Sequence, residues 1–238
     1  MIDKAETESK FPLLVIMGPT AVGKTSLSLN IAKKCNGEII SADSMQVYRE
    51  MDIGTDKVSQ EIQKKITHHL IDISSPEEKF SVAEYQKKVD NLITEITNKG
   101  KLPMLVGGTG LYIDAVVKGF MLPEMEKDKV LREELREKAA RHGNKYIHNM
   151  LAEIDPELAD KLHPNDLRRV IRGIEIYYQT GKTKTYYKKK QKKRGPRYNF
   201  LKIGLKRERD ELYKRINKRV DQMIEEGLLD EVKQLYNK

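Results

Sequence analysis

The chain has 238 residues, one cysteine and a net charge of +9. That length allows one large domain or a core with an inserted second unit. No apolar run approaches the roughly 18 residues of a membrane span, and Cys35 alone excludes an internal disulfide framework or a cysteine-rich zinc site.

The N-terminal "MIDKAETESK" is too charged for the apolar centre of a signal peptide, so a cytoplasmic location is expected. The strand and helix signals then alternate, which is the pattern of a parallel sheet covered on both faces. "LLVIM" (13–17) reads as a buried strand. A helix over Lys24–Lys34 follows, with Leu27, Ile31 and Ala32 at helical spacing. "GEIISADS" (37–44) is a second strand and "HHLIDIS" (68–74) a third candidate. Ser81 and Glu84 form a capping box for a helix running to about Asn98, where Gly100 stops it. "LPMLVGGTG" (102–110) is a strand feeding a glycine-rich turn at the C-terminal edge of the sheet, where open α/β proteins place their ligands.

From about Gly119 charged helical segments follow without strands, which predicts an insertion of helices. In "HPNDLRRVIRGIEIYYQTG" (163–181), Asn165 is the expected cap, Val170, Ile171, Ile174 and Tyr178 lie along one face, and Gly181 is the stop. "YYKKKQKKRGPR" (186–197) reads as a basic loop. "YNFLKIGLK" (198–206) returns to strand character, and a basic amphipathic helix runs from about Arg209 to Gly227 with Arg215, Arg219 and Met223. The fold expected is α/β, a parallel sheet of the P-loop NTPase type flanked by helices. Residues 1–119 and 199–238 form its core, and residues 120–198 form a helical insertion. Residues 1–120 carry 15 Lys and Arg against 16 Asp and Glu, and residues 121–238 carry 30 against 20. This asymmetry fits a polyanion, nucleic acid first, docked on the second half, and equally a lysine-rich soluble surface.

Gly18-Pro19-Thr20-Ala21-Val22-Gly23-Lys24-Thr25 fits G-x-x-x-x-G-K-[ST] between a strand and a helix. Its glycines let backbone N–H groups point at phosphate oxygens, Lys24 adds an ammonium, and Thr25 can ligate magnesium. The motif reports a diphosphate, not ATP specifically. A kinase would also need a clear apolar strand ending in a magnesium-binding aspartate and a lid arginine. Asp72 is a weak candidate for the first and reads equally as a strand-end turn residue. His68 and His69 face opposite sides of a strand, so packed or surface roles are expected for them. Asp43, at the end of the second strand, opens beside the phosphate loop. It can accept a proton from a nucleophile, cap a turn, or hold magnesium through water.

"GPTAVGKT", "SADSMQVYREMDIGT", "HHLID", "VGGTGLY", "NDLRRVIRGIEIY" and "YKRINKRVDQMIEEGLLDEV" together closely resemble the bacterial tRNA dimethylallyltransferase (tRNA isopentenyltransferase) family, from about Leu13 to the last residue. The resemblance implies that the loop binds the diphosphate of dimethylallyl diphosphate with Mg2+ on Thr25. The allyl group then moves to N6 of the adenine just 3′ of the anticodon in tRNA, and diphosphate leaves. It assigns catalysis to Asp43, as base, with Lys24, Thr25, Thr109 and Arg219; Arg215 is a second arginine candidate. For both arginines a solvated basic helix face is the alternative. It implies tRNA contacts at Asp43, Ser44, Met45, Gln46 and Thr109, and at Asn165, Asp166, Leu167, Arg168 and Arg169 in the insertion. The adenine has to be turned out of its stack to reach the carboxylate. The lysine run 188–194 would touch backbone rather than bases.

A monomer with no membrane attachment is expected. Family members continue beyond "LLDEVKQLYNK", so a C-terminal family segment is expected to be missing; a bacterial type, without the zinc-finger extension of animal and yeast relatives, is expected. The rival readings are prenyl transfer to free adenine nucleotides, an ATP-dependent small-molecule kinase of the P-loop type, and a non-catalytic RNA-binding module with a nucleotide switch.

Overall fold

The computed structural model describes residues 11–121, 123 and 125–238. The readings of "MIDKAETESK" and of positions 122 and 124 lie outside the described residues. In chain order the elements are β1 (Pro12–Met17), α1 (Lys24–Cys35), β2 (Gly37–Ser41), α2 (Gln60–Lys65), β3 (His68–His69), α3 (Val82–Asn98), β4 (Leu102–Gly107) and α4 (Gly110–Val117). Then come α5 (Lys129–His142), α6 (Asn144–Ile154), α7 (Pro156–Ala159), α8 (Leu167–Thr180), α9 (Lys184–Arg194), β5 (Asn199–Gly204), α10 (Arg209–Glu225) and α11 (Leu228–Tyr236). The chain divides into two compact units, one made of residues up to Lys118 with Pro196–Lys238, the other of Gly119–Gly195.

The first unit is a five-stranded parallel sheet in the order β3-β2-β4-β1-β5. Alternation along its buried strands supplies two cores. Leu13 and Val15 of β1 join Ile40 and Leu105 under α3 and α4, through Tyr85, Val89, Ile93 and Ile113. Leu14 and Ile16 point the other way, with Ile39 and Met104, toward Ala32, Leu27 and Ile31 of α1. Helix α3 carries the expected capping box, with Ser81 N donating to Glu84 Oε2 at 2.8 Å and Glu84 N to Ser81 Oγ at 3.2 Å. The stop at Gly100 has φ +69°.

Two strands are shorter than the sequence predicts. β2 ends at Ser41 rather than residue 44, because the Ala42 carbonyl turns to accept from Thr109 N at 3.0 Å and Asp43 starts a turn of its own. β3 keeps only two residues, since Leu70 and Asp72 both take positive φ; of the rest, Ser74 makes only an isolated bridge to Tyr48. Helix α11 is split from α10 by Gly227 at φ +100°.

In the second unit, α5, α6 and α8 enclose Leu135, Ile147, Leu151, Val170, Ile171 and Ile174. Gly173 lets the helices approach: a Cβ there would lie 2.8 Å from both Leu151 Cδ1 and Leu158 Cδ2. Glu175 is fully buried and accepts from Arg132 (2.7 and 2.6 Å), Arg172 and Asp128 N (2.9 Å). Burial alone would raise its pKa, but the two guanidinium hydrogen bonds outweigh it and hold the carboxyl below its ordinary range.

The segment 186–197 is not a loop: most of it is helix α9. Thr183 Oγ1 caps it by accepting from Tyr186 N at 3.0 Å, and no breaker occurs before Gly195-Pro196. It buries no residue, so its helicity comes from propensity, the cap and the Lys189–Glu157 pair rather than a core. Asp166, not Asn165, occupies the N-cap of α8, while Asn165 Oδ1 accepts from Asn144 Nδ2 at 3.3 Å. Among the described residues no helix is long and apolar enough to cross a membrane.

Candidate active site

β1 delivers the chain into the loop Gly18–Thr25, whose shape requires two of its glycines. A Cβ on Gly18 would meet the Leu205 carbonyl oxygen at 2.9 Å, and Gly23 takes φ +106° at the N-cap of α1. Lys24 Nζ donates to the carbonyls of Gly18 (3.0 Å) and Pro19 (2.8 Å), which holds the ammonium inside the loop. Burial lowers its pKa; Asp43 and Asp56 oppose that shift and Arg219 adds to it.

The neighbouring loop is set by backbone contact. Ala42 N donates to Val106 O at 2.7 Å, and a Cβ on Gly107 would sit 2.2 Å from the Ala42 carbonyl oxygen. Only glycine allows β4 to pass so close, and this approach carries Asp43 to the edge of the phosphate loop. Asp43 Oδ1 accepts from Met45 N (2.9 Å) and Gln46 N (3.4 Å). Among the described residues Oδ2 accepts no hydrogen bond. The turn-capping and proton-accepting readings of Asp43 are therefore compatible, because they use different oxygens. Thr109 stands at the N-cap of α4, but its Oγ1 accepts from Ser44 N at 3.0 Å instead of capping the helix. It ties the Asp43 turn to the end of β4.

These elements enclose a cavity of about 620 Å³ within the first unit. Thr20, Ala21, Gly23, Lys24 and Thr25 line it from the phosphate loop, Ser41, Asp43 and Gln46 from the end of β2, and Arg215, Lys218, Arg219 and Gln222 from α10. Ile39, Val58, Ile71 and Val106 give it apolar wall, and Thr55 and Asp56 complete it. Lys24, Arg215, Lys218 and Arg219 set four cations against the carboxylates of Asp43 and Asp56, so the cavity suits an anion. Arg219 Nη1 lies 3.3 Å from Asp56 Oδ2.

Of the residues singled out by sequence, Thr20, Ala21, Gly23, Lys24, Thr25, Asp43, Gln46, Arg215 and Arg219 meet in this cavity, whereas Gly18, Pro19, Val22, Ser44, Met45 and Thr109 do not line it. Asn165–Arg169 belong to the second unit, where they open α8; Arg169 pairs with Asp166 at 3.2 Å and Arg168 is exposed. His68 lines the cavity, a role the sequence did not suggest. Its Nδ1 bonds to Ile66 O at 2.7 Å, and burial lowers its pKa, so it is neutral near pH 7. His69 instead pairs with Glu38 at 2.7 Å. Asp72 is a turn residue, its Oδ1 accepting from Lys57 Nζ at 2.5 Å. Asp56, Lys218 and Gln222 were also missed. Positions 215, 218, 219 and 222 share one helical face, so periodicity could have found the last two.

Among the described residues no three His, Cys, Asp or Glu side chains are grouped to hold a metal ion. Thr25 lines the cavity, and its hydroxyl makes no hydrogen bond among the described residues, so it is available as a ligand. That donor set suits Mg2+ shared with phosphate oxygens and water rather than a metal caged by protein.

Residues 46–238 match the family model described as IPP transferase. The chain is 66% identical over 226 residues to the tRNA dimethylallyltransferase of Halothermothrix orenii, covering 95% of this chain and 69% of that protein. It is similar to the crystal structure of a tRNA isopentenylpyrophosphate transferase from Bacillus halodurans (TM-score 0.65, 51% identity, 96% of this chain and 71% of that one). It is also similar to a eukaryotic dimethylallyltransferase solved acting on tRNA (TM-score 0.84, 36% identity, 95% and 56% of the two chains). A match over most of the chain to the family model, joined to this identity across more than two thirds of a relative, places the chain in the IPP transferase family.

Proposed function

We propose that this chain transfers a dimethylallyl group from dimethylallyl diphosphate to N6 of the adenine just 3′ of the anticodon in tRNA, releasing diphosphate. The observation that carries this reading is one cavity holding a phosphate loop, a helix face of cations and a carboxylate with an unbonded oxygen. The relatives' names supply the substrate class.

Lys24 and the loop N–H groups hold the diphosphate, and Arg219 with Arg215 faces it from α10. They stabilise charge that grows on diphosphate as the allylic C–O bond breaks. Asp43 Oδ2 takes the proton from N6 as the C–N bond forms, while Oδ1 stays fixed by its two N–H donors. Thr109 orients this carboxylate through Ser44. Mg2+ held by Thr25 and the diphosphate would further neutralise the leaving group. The adenine leaves its stack to reach Asp43, with Ser44, Met45 and Gln46 beside it. The basic second unit, through Asn165, Asp166, Leu167, Arg168 and Arg169, grips the tRNA. The protein acts as a monomer.

The test offers labelled dimethylallyl diphosphate with Mg2+ and an unmodified anticodon stem-loop or, separately, AMP. Label on the stem-loop adenine is expected and none on AMP. Label on AMP alone would move the assignment to free nucleotides.

A further inference from the structure

Three consecutive backbone N–H groups, of Asp52, Ile53 and Gly54, converge on one carboxylate 177–179 residues away in sequence. Glu231 Oε2 accepts from Asp52 N at 2.8 Å and Ile53 N at 2.7 Å, and Oε1 accepts from Gly54 N at 3.0 Å. Such a run of N–H donors is an anion cradle, and here a side chain of α11 fills it. The approach is also built sterically, since a Cβ on Gly54 would lie 3.2 Å from Leu228 Cδ1.

The next two residues after the cradle, Thr55 and Asp56, reach the cavity. Gln46 Nε2 donates to the carbonyls of Thr55 (3.1 Å) and Asp56 (3.3 Å), while its Oε1 accepts from Ser41 Oγ at 2.9 Å. Asp56 faces Arg219 of α10. Glu231 itself does not line the cavity. It joins the consecutive helices α10 and α11, the first of which brings Arg215, Lys218 and Arg219, to the loop that brings Thr55 and Asp56.

We propose that Glu231 is a positioning residue: a clasp that holds the 52–56 loop against α10 and so fixes Arg219 for the anionic part of the substrate. This rests on the diphosphate reading of the cavity. A neutral side chain replaces it at most in part, because at least one of the three N–H donors then faces nothing or another donor. A glutamine keeps one carbonyl oxygen and two of the three bonds.

The test is calorimetric titration of inorganic pyrophosphate with Mg2+ into the full chain. Glu231→Ala is expected to weaken binding about tenfold, Glu231→Gln about threefold, and Asp230→Ala, the exposed neighbour on the same helix, not at all. In an Arg219→Ala background the Glu231→Ala effect is expected to vanish, since the clasp works through that arginine; a merely structural role would cost the same factor in both backgrounds. Amide exchange at residues 52–54 should quicken in both Glu231 variants, and Glu231→Gln carries the test if the alanine variant does not fold. Unchanged pyrophosphate affinity, or equal loss with and without Arg219, overturns the proposal alone. No binding by the unsubstituted protein overturns the diphosphate reading with it.

Discussion

Asp43 divides its work between two oxygens, and that division can be separated by substitution. Asp43→Asn keeps an Oδ1 that accepts from Met45 N and Gln46 N, as an asparagine turn does, but it cannot take a proton. Single-turnover prenyl transfer is expected to fall by about 10²–10⁴ in Asp43→Asn and in Asp43→Ala alike. Retained activity in the asparagine variant would reduce Asp43 to a turn residue. Gly107 is the other residue on which the site's shape depends. Gly107→Ala puts a methyl 2.2 Å from a backbone oxygen that no rotamer change can move, so β4 and the Asp43 loop must part. A loss of about 1–3 kcal/mol is expected, read from denaturant unfolding. The phosphate loop, Asp43 and the glycine-rich turn after β4 were legible because each is a local pattern. Asp56 was not, because it enters the cavity through a turn in which it takes positive φ, and His68 was not, because a strand of two residues carries no alternation to say which way its side chain faces.

At the scale of elements, helices that bury one face were readable and helices that bury none were not. The α8 stripe of Val170, Ile171 and Ile174 and the α3 capping box stand in the sequence as spacing, but Tyr178, expected on the same face, is exposed. Helix α9 has no buried residue, so its lysine run carries no apolar stripe to mark it as helix, although lysine is a good helix former. Its start depends on a hydroxyl, so Thr183→Ala should cost about 1 kcal/mol and raise amide exchange across 184–188. Unchanged protection there would show that Thr185 N on Asp155 Oδ2, at 2.9 Å, suffices to start the helix. Helix α10 was legible as an amphipathic helix. That its basic face lines a cavity became visible only once β5 was placed beside β1.

For the whole molecule, the charge asymmetry was readable from counting, and it has two measurable consequences. Affinity for an anticodon stem-loop is expected to fall steeply with salt, and removing a lysine that touches phosphate lowers the slope of log affinity on log salt by about one. Lys188, Lys190 and Lys192 of α9 are the first to substitute; an unchanged slope would assign that helix to bulk solvent. The second consequence concerns acid. The Glu175 carboxyl has a lower pKa folded than unfolded, so its stabilisation is full above the ordinary value of 4.5 and is lost as pH falls through the lower folded value. Acid unfolding followed by near-UV signals should therefore move upward in pH in Arg132→Met. A midpoint unmoved by that change would show that Arg172 alone keeps the carboxylate charged.

The order in which the strands are threaded has a bearing on synthesis. β5 is the last strand made, yet it lies against β1, the first, and the Leu205 carbonyl just beyond it presses on Gly18. Residues 119–195 are contiguous and are all made before β5, whereas the cavity at the phosphate loop still lacks the wall that α10 supplies. A fragment of the chain ending at residue 198 should thus hold a protease-resistant helical piece and an unfinished α/β unit.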